Sequence, residues 1–148
     1  MRGNKFLYIL PALLPVIAII CAGCNTSAVE TTPPQKMTQS VTEVTSAEAN
    51  ALIQSNAENP DFIIIDVRTP EEYNAGHLEN ARLINYNSAS FIEEISKLAR
   101  DKKYLIYCRT GNRSSGARDK MTELGFLDIY HLTHGITEWT AQGYPVVK

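Results

Sequence analysis

Cys108-Arg109-Thr110-Gly111-Asn112-Arg113-Ser114 is the segment of this chain with the most chemistry in it. Tyr104-Leu105-Ile106-Tyr107, directly before it, is apolar throughout, the pattern of a buried strand. The spacing then predicts a short polar loop carrying Gly111 and a helix that begins near Ser114. A loop running from a strand into a helix N-terminus turns several backbone N–H groups toward one point. That arrangement stabilises an anion, and the helix dipole adds to it. Arg109 and Arg113 supply further positive charge. Such surroundings lower the pKa of a thiol from its usual value of about 8.5, and the thiolate is the nucleophilic form. Cys108 is therefore the candidate nucleophile, and Arg109, Thr110, Gly111, Asn112 and Arg113 form the candidate anion-binding loop. A lone cysteine is more often an inert packing residue. Packing alone gives no reason to place one before a glycine loop with two arginines.

The elements that must position this loop are legible in outline. Thr45-Ser46-Ala47-Glu48 has capping-box spacing and opens a helix through Ala49, Leu52 and Ile53. After the turn Asn59-Pro60-Asp61, the run Phe62-Ile63-Ile64-Ile65 predicts a strand buried on both faces. Thr69-Pro70-Glu71-Glu72-Tyr73 predicts a short helix, with proline early and acids in the first turn. Ala81 to Ile84 reads as a short strand, and Phe91, Ile92, Ile95, Leu98 and Ala99 recur at helical spacing. Ala117, Met121 and Leu124 mark a helix face that Gly125 closes. Ile129 to Leu132 predicts a last strand, followed by a helix around Thr137 to Gln142. Strands alternating with helices imply an α/β fold on a mainly parallel sheet. In such sheets, sites form beyond the carboxyl ends of the strands, where Cys108 stands.

Three ordered motifs carry a resemblance to the rhodanese-like sulfurtransferases. The Cys108 loop is similar to that family's active-site loop. Asp66-Val67-Arg68-Thr69-Pro70-Glu71-Glu72-Tyr73, then Gly76-His77-Leu78 and Ala81, resemble its first signature. Leu132, Gly135, Ile136, Glu138 and Trp139 resemble its C-terminal signature, with His134 standing where the family often has glycine. The resemblance spans residues 44 to 146. It implies a three-layer fold, a mainly parallel central sheet with helices on both faces. It also implies a ping-pong transfer in which Cys108 takes the outer sulfur of thiosulfate or a related donor as a persulfide and passes it to cyanide or a thiol. Residues 109–113 are then the substrate-binding loop: their backbone N–H groups cradle the persulfide, and the arginines hold the anionic donor. No metal and no organic cofactor is implied. Phosphatases of similar fold carry five residues between cysteine and arginine, whereas Cys108 and Arg113 enclose four, a loop better suited to a single sulfur. A non-enzymatic persulfide carrier or protein-binding module is the remaining alternative.

The N-terminus predicts export. Arg2 and Lys5 precede an apolar run from Phe6 to Ile20, followed by Cys21-Ala22-Gly23-Cys24. The run is short of the roughly 20 residues a membrane-spanning helix needs. Ala22-Gly23-Cys24 resembles the lipobox of prokaryotic lipoproteins, with Cys21 where leucine is usual. Residues 1–23 are thus expected to be a signal peptide, Cys24 a lipidated N-terminus, and residues 24–40, rich in Thr, Ser and Pro, a tether. Residues 41–148 form the domain. The expected location is the extracytoplasmic side of the cell membrane, with the domain a monomer. Without Arg2 and Lys5, 12 basic residues face 16 acidic ones, a net charge of −4. Phosphate-driven nucleic-acid binding does not fit that balance, and neither does electrostatic adhesion to anionic lipid. With Cys21 removed and Cys24 acylated, Cys108 is the one thiol left.

Other residues with chemical potential have plainer roles. His131 and His134 are expected to be turn and surface histidines rather than metal ligands. His77 is expected to tie down its own turn. Asp66 and Arg68 are expected to pair and hold the segment beside the active loop, and Trp139 to anchor the core with its N–H satisfied.

Overall fold

The computed structural model describes residues 38–148. The signal peptide expected at 1–23, Cys24 and most of the tether expected at 24–40 lie outside the described residues. Five parallel strands form the sheet: β1 (Ser40–Val44), β2 (Phe62–Asp66), β3 (Ala81–Leu83), β4 (Lys103–Tyr107) and β5 (Asp128–Leu132). Their spatial order is β1-β5-β4-β2-β3. The connecting helices are α1 (Ser46–Ser55), α2 (Pro70–Ala75), α3 (Phe91–Ser96), α4 (Asn112–Glu123) and α5 (Gly135–Ala141).

The two central apolar runs behave as their composition dictates. Side chains alternate faces along a strand, so a run apolar at every position must be covered on both sides. Ile65, Tyr104 and Ile106 face a core built with Phe91 and Ile95 of α3 and Ala117 and Met121 of α4. Ile64, Leu105 and Tyr107 face a second core with Ala49 of α1 and Ile136 and Trp139 of α5. The result is the three-layer α/β architecture with helices on both faces. Cys108 shares the parity of Tyr104 and Ile106, and this turns its side chain into the α3–α4 core.

The first strand departs from the sequence expectation. β1 begins at Ser40, and Gln39 already donates from its side-chain amide to the carbonyls of Thr122 (2.9 Å) and Phe126 (2.6 Å). The segment 39–44 is polar and mostly exposed, with Val44 its buried member, so no apolar run advertises it. It forms because β5 would otherwise leave a row of backbone groups unpaired at the sheet edge. β1 takes up that edge in parallel register, with Glu43 opposite His131.

Strand order places the crevice. The chain leaves β2 toward β3 and leaves β4 toward β5, on opposite sides. The loops after β2 and β4 therefore diverge, and a cleft opens between them at the carboxyl ends.

Candidate active site

Cys108 lies one residue past β4 and is 1 % exposed. The loop that follows curls back over its sulfur. The Gly111 N–H donates to Cys108 Sγ at 3.2 Å, and the Ser114 hydroxyl lies 3.4 Å from the same atom. Burial pushes the thiol up. The Ser114 hydroxyl, with the amides of Ser114, Thr110 and Gly111, more than offsets that, so the net direction is downward from the ordinary value. The cradle expected of residues 109–113 is thus drawn, at the sulfur, from Thr110 and Gly111, and it extends to Ser114. Arg109, Thr110 and Asn112 present exposed side chains around it.

Two glycines let the loop close this tightly. Gly111 has φ +95°, and a Cβ there would stand 1.8 Å from the Thr133 carbonyl oxygen. Gly135 has φ +59°, and a Cβ there would meet the carbonyl oxygens of Cys108 (2.4 Å) and Arg109 (2.6 Å). This close approach lets the first amides of α5 bind the loop from below: Ile136 N–H donates to the Cys108 carbonyl (2.9 Å) and Thr137 N–H to that of Arg109 (3.0 Å). With those carbonyls turned toward α5, the amides that follow are free to face the sulfur. His134, by contrast, has φ −101° and an exposed side chain, so the position where the family often has glycine needs none.

α4 starts at Asn112, two residues before the predicted start. Arg113 is therefore already helical, and its guanidinium is engaged. Its Nη1 and Nη2 donate to the two carboxylate oxygens of Glu72 at 2.6 and 2.7 Å. Glu72 also closes the capping box of α2: its Oε2 accepts from Thr69 N–H (3.2 Å), while its own N–H donates to Thr69 Oγ1 (3.4 Å). One carboxylate thus joins the start of α2 to the start of α4 across the crevice. The Arg113 hydrogen bonds hold the Glu72 carboxyl down at about 2, from an ordinary 4.5. The folded value lies below the unfolded one. The stabilisation is therefore complete above about 4.5 and fades as pH falls toward about 2. Glu72→Gln is expected to lower the urea midpoint at neutral pH, and its difference from wild type is expected to vanish at the acid end of that window. A difference independent of pH would show that the pair contributes nothing through charge.

Behind this clamp lies a buried pair. Asp66 Oδ1 accepts from the N–H and Nε–H of Arg68, each at 2.9 Å, and Oδ2 accepts from Nη2 at 2.6 Å. Arg68 Nη2 also donates to the Gly76 carbonyl at 2.7 Å, and its guanidinium lies 5.6 Å from the Tyr107 ring centroid. The pair is the structural brace expected for Asp66 and Arg68. His77 holds its turn, with Nδ1 3.0 Å from the Tyr73 carbonyl, and Trp139 donates from Nε1 to the Pro145 carbonyl at 2.8 Å. Arg68, Glu72, Ile136, Thr137 and Thr140 line an open cleft beside the loop.

His131 corrects the sequence reading. It is neither in a turn nor on the surface; it is buried within β5, against the back of the loop. Its Nε2 lies 2.9 Å from Ser114 Oγ and its Nδ1 2.6 Å from Glu43 Oε2. His131 points inward from a strand, whereas His134 lies past its end. Among the described residues, no group of three or more His, Cys, Asp or Glu is placed to hold a metal ion. Ser114, Glu72, His131 and Glu43 are the site residues that spacing did not single out. Ser114 alone carried a local signal, as a hydroxyl in the first turn of the helix facing the candidate nucleophile.

Fold and site together define a class: parallel α/β domains that seat one thiol in a short strand–loop–helix cradle. The rhodanese-like domain profile matches residues 46–142, well over half of the chain, and the chain belongs to that family. Among solved structures, a rhodanese-related protein from Thermoplasma volcanium is similar at 31 % identity and a TM-score of 0.60, over 72 % of this chain and 97 % of the other. A Rhodopseudomonas palustris protein called a possible tyrosine phosphatase is similar at 26 % identity and a TM-score of 0.62, over 72 % and 85 % of the two chains. Curated relatives include the probable adenylyltransferase/sulfurtransferase MoeZ of Mycobacterium tuberculosis, 38 % identical over 82 residues, 55 % of this chain and 21 % of that one. The tRNA uridine(34) hydroxylase of Citrobacter koseri is 36 % identical over 110 residues, 68 % and 30 % of the respective chains. The chain thus spans less than a third of the length of these curated relatives.

Proposed function

We propose that the protein is a sulfurtransferase that carries a sulfane sulfur as a Cys108 persulfide, with thiosulfate or a similar small anion as donor. The observation that supports this most is the seating of Cys108 Sγ under the Gly111 N–H and the Ser114 hydroxyl, in a loop only four residues long between Cys108 and Arg113. In the first half-reaction the Cys108 thiolate attacks the outer sulfur of thiosulfate. A new S–S bond forms, the donor's S–S bond breaks, and its electron pair leaves with sulfite. In the second, cyanide or a thiolate attacks the outer sulfur of the persulfide. Thiocyanate or a new persulfide departs, and the electron pair returns to Cys108 as thiolate. The loop amides stabilise negative charge on sulfur throughout, and the exposed Arg109 attracts the anionic donor. A phosphoryl group with three outer oxygens fits this short loop poorly, so the phosphatase reading ranks below.

The test is the intact mass of the protein after thiosulfate. The expected result is a gain of one sulfur that cyanide removes. No gain with thiosulfate or any other sulfane donor would overturn the reading in favour of a binding module.

We further propose that the protein is exported and held at the cell membrane through acyl chains on Cys24, with residues up to the domain as tether. The apolar run before Ala22-Gly23-Cys24 supports this. Cys24→Ser is expected to move the protein from the membrane fraction to the soluble fraction; continued membrane association would contradict lipid anchoring.

A further inference from the structure

The hydroxyl of Ser114 has one hydrogen and three neighbours able to accept it: Cys108 Sγ at 3.4 Å, the Gly111 carbonyl at 3.0 Å and His131 Nε2 at 2.9 Å. Which of them receives it decides whether the sulfur gains a donor. The surroundings of His131 bear on that choice. Its Nδ1 faces Glu43 Oε2 at 2.6 Å, a carboxylate that only accepts. Its Nε2 lies 3.2 Å from the Gly111 carbonyl, which also only accepts. The Gly111 oxygen and Ser114 Oγ are both served by a hydrogen on Nε2. Nε2–H then donates to Ser114 Oγ and the Gly111 oxygen, and the hydroxyl hydrogen turns away from the ring. A bare Nε2 would instead draw that hydrogen onto itself and face the Gly111 oxygen lone pair to lone pair.

We propose that His131, held by Glu43, is a positioning residue that turns the Ser114 hydroxyl onto the Cys108 sulfur. The chain of contacts runs from the edge strand to the reactive atom: Glu43 to His131 to Ser114 to Cys108. Glu43 is itself fixed by register opposite His131 and by an ion pair from Arg118 of α4 to its other carboxylate oxygen. The titratable and charged groups that bear on the ring are therefore Glu43 on β1, Arg118 through Glu43, and Cys108 through Ser114; Ile106, its register neighbour on β4, is apolar. His131 touches no reacting atom and acts through Ser114. The edge strand β1 thereby becomes part of the catalytic machinery's support.

The inference takes Cys108 as the nucleophile of the proposed function, but its test needs no sulfur donor. The rate of Cys108 alkylation by iodoacetamide, a neutral reagent, is measured against pH in the full chain, with folding checked by circular dichroism. Failure of sulfur transfer leaves that measurement readable. Ser114→Ala and His131→Leu are each expected to move the profile to higher pH, with the thiolate fraction on its rising limb reduced about tenfold. The double variant is expected to move it no further than Ser114→Ala alone, because both changes remove the same donor. His131→Gln, which places an amide donor near the former Nε2, is expected to retain most of the wild-type profile. Should His131→Leu not fold, Glu43→Ala on the partly exposed edge strand takes its place, with a smaller shift in the same direction. An unchanged profile in the folded His131 or Glu43 variant, or full additivity in the double variant, would overturn the proposal.

Discussion

Cys108→Ala is expected to abolish sulfur transfer from thiosulfate to cyanide, and with it the one-sulfur mass gain, while leaving the domain folded. The two effects separate because the side chain has two separable roles. As the carrier in the proposed reaction, it forms the covalent bond on which both half-reactions depend, and none of the surrounding groups can substitute for it: the Ser114 hydroxyl has no sulfur with which to hold a persulfide. As a packing residue it is a small member of the α3–α4 core. Trimming one buried atom of that size costs on the order of 1 kcal/mol. The cradle itself is held by the α5 amides on the loop carbonyls and by Arg113 on Glu72, none of which involves the sulfur. Turnover and urea denaturation measured on one preparation check both halves. Turnover retained by Cys108→Ala would refute the persulfide mechanism.

The largest expected loss of stability follows Arg68→Ala. Asp66 is fully buried, and Nε and Nη2 of Arg68 make three hydrogen bonds to its carboxylate. Truncating the arginine strands that charge and also leaves the Gly76 carbonyl without its donor. Breaking one partner of a buried pair costs about 3–5 kcal/mol, a large part of the roughly 5–15 kcal/mol by which a domain is stable. Replacing both partners is expected to cost less than replacing Arg68 alone, since no buried charge is then left unpaired. Chemical denaturation of Arg68→Ala and of Asp66→Asn/Arg68→Met decides it. If the double variant were the less stable, the role of the pair would lie in its attraction rather than in mutual neutralisation.

These effects also show which parts of the fold were legible in the sequence. Phe62–Ile65 and Tyr104–Tyr107 announce central parallel strands because both their faces must be covered, and that requirement is written in every residue. The Cys108 loop is legible because its chemistry is local: strand, glycine, arginines and helix start lie within a few positions. The edge strand β1 is not legible, since four of its five residues are exposed and its pairing is decided by what β5 offers. The Glu72–Arg113 clamp spans 41 residues and the Glu43–His131 contact 88. Such contacts have no signature in spacing; they exist only once strand order has brought the segments together. The burial of His131 is hidden for the same reason, because its neighbours come from β1 and α4 rather than from its own segment.

The common direction of the five strands has a consequence for how the domain is presented. Ser40 is level with Asp128, and Asp128 with Lys103, so the chain enters the sheet at the starting end of β4. Cys108 lies just past the finishing end of that strand. At about 3.3 Å per residue, the five residues of β4 put roughly 16 Å of sheet between the two. The domain thus has two poles, with the start of β1 at one and the Cys108 loop at the other. The Cys108 loop caps the second pole, where the side chains of Arg109, Thr110 and Asn112 are exposed, so a small reagent approaches the sulfur from the end of the sheet opposite Ser40.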